Sequence, residues 1–226
     1  MTSVSKSSQN IKKLVCVAMF CAVAYIVSFI FPIKVQFLTF DAKDAIIAIG
    51  GMFFGPVSAL IMSIIVPFLE FISISDTGIY GLIMNFLSSA AFSVTASLVY
   101  KYRRKMSGAV FALLSAVVVT SAVMLLANLF ITPYYMAVPR DTVAKLLPTL
   151  ILPFNFTKSM LNSALVLLLY KPFTSALRAT KLVQSKANKS SPLVTVITVI
   201  SAVIILTLAV LVYIFVLDGT MSFFGK

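Results

Sequence analysis

Three polar side chains, set three and four residues apart in one apolar stretch, are the clearest candidates for chemistry in this chain. In LPFNFTKSMLN (152–162), Asn155 and Lys158 are three residues apart and Asn162 follows one turn later, so on a helix they share a face. Pro153 disrupts or starts the helix just before them and frees backbone groups that can bind a ligand. Asn128 stands just before the TPYY segment and Asn85 within GLIMNFL, each in its own apolar run. Polar residues in such runs are costly in lipid and face a cavity or a partner helix. An asparagine offers an acceptor and a donor side by side. That pair complements an imide or uracil-like edge, and Lys158 adds a cationic donor for an electron-rich ring oxygen. Phe37, Leu38, Phe40, Phe154, Tyr134 and Tyr135 supply flat apolar walls. Together these residues predict a pocket near the outer leaflet for a planar heteroaromatic ligand rather than a sugar or an inorganic ion.

Each residue also has a plainer reading. An asparagine in a membrane helix often bonds across to a neighbouring helix, for about 0.6–2 kcal/mol. A lysine can snorkel outward, and aromatic residues form interfacial belts. Glu70 is either interfacial or a ligand contact. Asp41 and Asp44 are read as helix caps rather than catalytic acids.

The absences narrow the function. The chain has no histidine, which excludes Ser-His-Asp and Cys-His catalysis and histidine-ligated zinc. Its two cysteines, Cys16 and Cys21, lie in one apolar run and read as small core residues. The six acids (Asp41, Asp44, Glu70, Asp76, Asp141 and Asp218) show no di-metal pattern. Gly50 and Gly55 have the glycine spacing of a phosphate-binding loop, but Pro56 stands where that loop needs lysine. The expectation is a binding or transport protein, not an enzyme, with no cofactor or metal. A solute moved uphill would draw its energy from a partner.

The elements that position these residues are membrane helices. Of 226 residues, 61% are hydrophobic and 11% charged, and the mean hydropathy is +1.09. A soluble domain is about a quarter charged. Apolar segments over 14–31, 41–53, 57–71, 79–100, 107–131, 149–170 and 193–217 predict seven helices, with loops at 32–40, 72–78 and 132–148. With the N-terminus inside and every helix crossing, 12 of the 18 basic residues fall inside and five outside, with Lys158 within a helix. The outside five are Lys34, Lys43, Arg140, Lys145 and Lys226. Basic residues concentrate in cytoplasmic segments, so the net charge of +12 reads as topology and not as a nucleic-acid footprint. The protein is expected in the cell membrane as a multi-pass chain, N-terminus cytoplasmic and C-terminus extracellular. The long, partly apolar loops then share the outer side, as a ligand entrance with a lid would.

At these residues the chain resembles the substrate-binding S components of energy-coupling factor (ECF) vitamin transporters, and within them the riboflavin-specific branch. The resemblance rests on FLTFDAKDAIIAIGGMFFGP, TGIYGLIMNFLSS, NLFITPYY and LPFNFTKSMLNSALVLLLYKP, in that order and spacing, and covers residues 12–173. It implies an all-α, six-helix membrane core with both ends in the cytoplasm. It also implies high-affinity capture of riboflavin from outside, with the 32–40 loop as a lid and release inside. Asn128, Asn155 and Lys158 would hold the isoalloxazine ring. Riboflavin would be a transported ligand and not a cofactor. A membrane scaffold subunit would dock on small residues of the first helix, here Ala18 and Ala22, and two cytoplasmic ATPases would drive it. The division of the chain follows: a tail at 1–11, the core at 12–173, a basic linker at 174–192, an extra transmembrane helix at 193–217 and a tail at 218–226.

Three readings compete. One is an S component for another vitamin or a nucleobase-like solute. Another is a stand-alone ion-coupled carrier, and the last is an intramembrane enzyme, which would need a carboxylate or metal cluster.

Overall fold

The computed structural model describes residues 6–30, 33–35, 38–75, 77–179 and 221–222, with single positions at 203 and 207. The helix expected over 193–217 and most of the expected linker lie outside the described residues. What is described is a helical bundle. Five of its segments are long and apolar enough to cross a membrane: 10–30, 56–73, 78–102, 106–136 and 140–175.

The first helix, α1 (Lys6–Ile30), starts within the expected tail. It buries Cys16, Val17, Phe20, Cys21 and Ala24 and leaves Ala18 and Ala22 exposed. The loop expected at 32–40 is a β-hairpin, β1 (Ile33–Val35) and β2 (Leu38–Phe40), paired antiparallel with Val35 opposite Leu38. A third strand, β3 (Met221–Ser222), pairs antiparallel with the other edge of β1.

The next helix, α2 (Lys43–Phe54), is short. At about 1.5 Å per residue it is shorter than a hydrocarbon core of about 30 Å, yet it runs from Asp44 beside Lys158 to Phe53, which stacks on Tyr170. Its residues from Lys43 through Met52 are all buried. A helix apolar all round belongs inside a bundle, and α2 packs among α1, α3, α4 and α7. Gly55 makes the turn at its end with φ +99°, and Pro56 then starts α3 (Pro56–Ser73). Gly51 lets α2 and α3 touch: a Cβ there would lie 2.6 Å from Ala59 Cβ.

The fourth helix, α4 (Gly78–Tyr102), faces the core with Ser88, Ser89, Ser93 and Ser97. Ser93 and Ser63 share a hydrogen bond of 3.0 Å between α4 and α3. Small hydroxyl residues of this kind let membrane helices approach closely.

The loop expected at 132–148 is mostly helix. The fifth helix, α5 (Met106–Met136), runs through Pro133 and ends where Ala137 turns left-handed at φ 52°. Proline near the end of a membrane helix frees few backbone groups. A short α6 (Arg140–Leu146), a π-helical turn (Leu147–Ile151) and α7 (Leu152–Ala179) follow with little break. Pro148 and Pro153 lack the N–H groups of a regular ladder, and a π turn is one way to absorb that.

Candidate functional site

A cavity open to solvent is lined by β2, α4, α5 and α7. Seven of the residues singled out from sequence meet there: Leu38, Asn85, Asn128, Tyr135, Phe154, Asn155 and Lys158.

The asparagines keep part of their hydrogen-bonding capacity for this space. Asn155 donates through Nδ2 to the carbonyl of Ile151 in the π turn, at 2.8 Å, which fixes the amide plane. Asn128 donates to the carbonyl of Met124 at 2.8 Å and accepts from Thr132 Oγ1 at 2.9 Å. Each amide therefore retains donor or acceptor valences. The ammonium of Lys158 donates to the carbonyl of Thr39 at 3.3 Å and to Asp41 Oδ2 at 3.1 Å, with one N–H left over. Lys158 is 6% exposed, so it does not snorkel.

Other expected wall residues lie elsewhere. Phe40 packs behind the pocket against a small cluster of Leu38, Leu150 and Phe154. Tyr134 is 65% exposed, because the helix through Pro133 turns it outward and brings Tyr135 to the cavity instead. Phe37 lies outside the described residues.

Behind the pocket is a group of charges that sequence reasoning missed. Asp41, Lys43, Asp44, Glu70 and Lys158 are all buried. Lys43 Nζ lies 2.5 Å from Glu70 Oε2 and 3.4 Å from Asp41 Oδ2, and Lys158 Nζ lies 3.9 Å from Asp44 Oδ2. Ser89 Oγ donates to Asp44 Oδ1 at 2.5 Å and Ser88 Oγ to Asp44 Oδ2 at 3.4 Å. Asn85 Nδ2 donates to Glu70 Oε2 at 3.3 Å and so joins the group to the pocket wall. Burial works against the charge of Asp41, but Lys158 and Lys43 outweigh it and hold that carboxyl below the usual carboxylate range.

Three expectations are corrected here. Asp41 and Asp44 are not side-chain caps, since Ala42 is the N-cap of α2 and makes no side-chain cap bond. Glu70 is not interfacial, being only 5% exposed. Lys43, the first residue of α2, is buried and pairs with Glu70. The signal available in the sequence was that charges inside apolar segments pair with one another.

The comparisons with known proteins agree with one another. The family model described as ECF transporter, substrate-specific component, matches residues 12–170. The riboflavin transporter RibU of Staphylococcus aureus (strain TCH60) is 29% identical over 180 residues, covering 75% of this chain and 94% of that protein. A solved structure described as the S component of a bacterial ECF transporter matches with a TM-score of 0.64 and 27% identity, over 75% of this chain and 99% of that one.

Proposed function

The chain belongs to the substrate-specific components of ECF transporters, and from that premise we propose that it is the riboflavin-capturing subunit of an ATP-driven importer. The observation that carries this reading is the pocket wall itself. Asn128, Asn155 and Lys158 bring unused polar valences to one cavity, which Phe154 and Tyr135 also line. An isoalloxazine ring offers a matching imide edge and a planar apolar body. The likeness to a riboflavin transporter over most of both chains supports the same ligand.

In this reading riboflavin enters from outside beside the β1–β2 hairpin and leaves on the cytoplasmic side. The energy comes from two ATPases acting through a membrane scaffold subunit. That scaffold docks on α1, where Ala18 and Ala22 are exposed four residues apart and permit close helix approach. The N-terminus is cytoplasmic and the C-terminus extracellular.

The test is a titration of the purified chain in detergent, followed by riboflavin fluorescence. Saturable quenching at one site per chain, at nanomolar concentrations, is expected. A folded sample that leaves riboflavin fluorescence unchanged would pass the pocket to another heteroaromatic solute. For the scaffold, Ala18→Leu combined with Ala22→Leu is expected to abolish cellular uptake and spare riboflavin binding. Normal uptake would remove α1 as the docking face.

A further inference from the structure

Asn162 belongs to the same polar motif as Asn155 and Lys158, yet it is absent from the pocket lining. It is 1% exposed. Its Oδ1 accepts the Ala45 N–H at 3.0 Å, and its Nδ2 donates to the carbonyls of Asp41 at 3.2 Å and Lys158 at 3.1 Å. Both amide hydrogens are thus in use, and none is left for a ligand.

The bond to Ala45 fills a specific gap. The first amides of a helix have no partner within it, and a side chain at the N-cap usually accepts one. The N-cap of α2 is Ala42, which makes no such bond. Asn162 supplies the missing acceptor from α7, 117 residues further along the chain. One turn earlier, Lys158 holds the Thr39 carbonyl and the Asp41 carboxylate. The chain from 39 to 45 is therefore gripped by α7 at Thr39, Asp41 and Ala45. Strand β2, which ends just before Asp41, carries Leu38 and Thr39 into the pocket wall. Strands this short have little stability of their own, so their place is set by where the adjoining chain is held.

We infer that Asn162 is a positioning residue: it fixes the root of the β1–β2 hairpin, and with it the wall made by Leu38 and Thr39, without touching the ligand. The inference rests on this cavity being the binding site, but the clamp can be read without any ligand. The experiment is amide hydrogen exchange at single-residue resolution on the ligand-free full chain in detergent. Asn162→Ala is expected to speed exchange across 38–45 by about tenfold or more, as the loss of a hydrogen bond implies, with α4 and α5 unchanged. Asn162→Asp keeps the acceptor for Ala45 and loses the donor to Asp41. It is expected to leave Ala45 protected and to speed exchange at 38–41. Unchanged exchange over 38–45 in either variant, or acceleration spread evenly over the bundle, overturns the inference. If Asn162→Ala does not fold, the aspartate variant decides by the same criteria. With riboflavin present, Asn162→Ala is expected to raise the dissociation rate about tenfold. A chain that ignores riboflavin altogether would overturn the proposed ligand and leave the exchange result standing.

Discussion

The pocket wall and the charged group behind it use the same kinds of side chain in opposite ways. On the wall, each of Asn128 and Asn155 spends part of its hydrogen-bonding capacity on its own helix and turns the rest toward open space. Behind the wall, Asp41, Lys43, Asp44 and Glu70 turn toward one another and toward Ser88, Ser89 and Asn85. The first arrangement suits binding, because a preformed amide with unused valences loses little freedom when a ligand arrives. The second suits architecture, because it ties together segments far apart in sequence. Lys158 belongs to both, which makes it the natural place to test whether the two regions are distinct.

The largest effect is expected behind the wall. Asp41→Ala leaves Lys43 and Lys158 short of a buried partner. Breaking a buried ion pair from one side costs about 3–5 kcal/mol. Denaturant unfolding in detergent should show a loss of that size. A shift no larger than that of Asn155→Ala would break the distinction, since the wall and its support would then contribute alike. A smaller effect on stability and a direct effect on affinity are expected at the shared residue. Lys158→Ala should weaken riboflavin binding by about 1.5–3 kcal/mol, the usual worth of a hydrogen bond to a charged group. Isothermal titration at matched folded fractions checks it. Unchanged affinity would place Lys158 wholly in the support and leave the amides as the polar wall.

The same contrast explains what was legible in the sequence. Asn155 and Lys158 are three residues apart, so helix periodicity alone puts them on one face, and the structure brings both to the cavity. The charged group is assembled from residues near 41–44, at 70 and at 158, and no periodicity links these. Pairing across such distances shows only once the helices are packed. Helices were legible from their apolar runs, and α4 follows its run closely. Segment 132–148 was misread because its three prolines look like loop punctuation. In the bundle, Pro133 sits inside α5 and Pro148 inside the π turn, and Pro139 is the N-cap of α6. The length of α2 is close to the expectation, while its burial depends on the four helices around it.

The smallest expected effect sharpens the edge of the wall. Tyr134 and Tyr135 are adjacent, and sequence could not choose between them. Successive residues on a helix point about 100° apart, so only one can face the cavity, and the structure gives that place to Tyr135. The ring of Tyr135 also lies 6.4 Å, centroid to centroid, from that of Tyr80, another lining residue. Removing it should cost the ligand an aromatic neighbour. Tyr135→Ala is expected to weaken riboflavin binding by about 0.5–1.5 kcal/mol, the range for an aromatic pair beyond its burial. Tyr134→Ala removes a side chain exposed to lipid or its headgroups and should change affinity by less than about 0.5 kcal/mol. Equal losses in the two variants would mean that the end of α5 rotates when ligand binds. In that case Asn128, about two turns earlier on the same helix, would meet the ligand with valences other than those now turned toward the cavity.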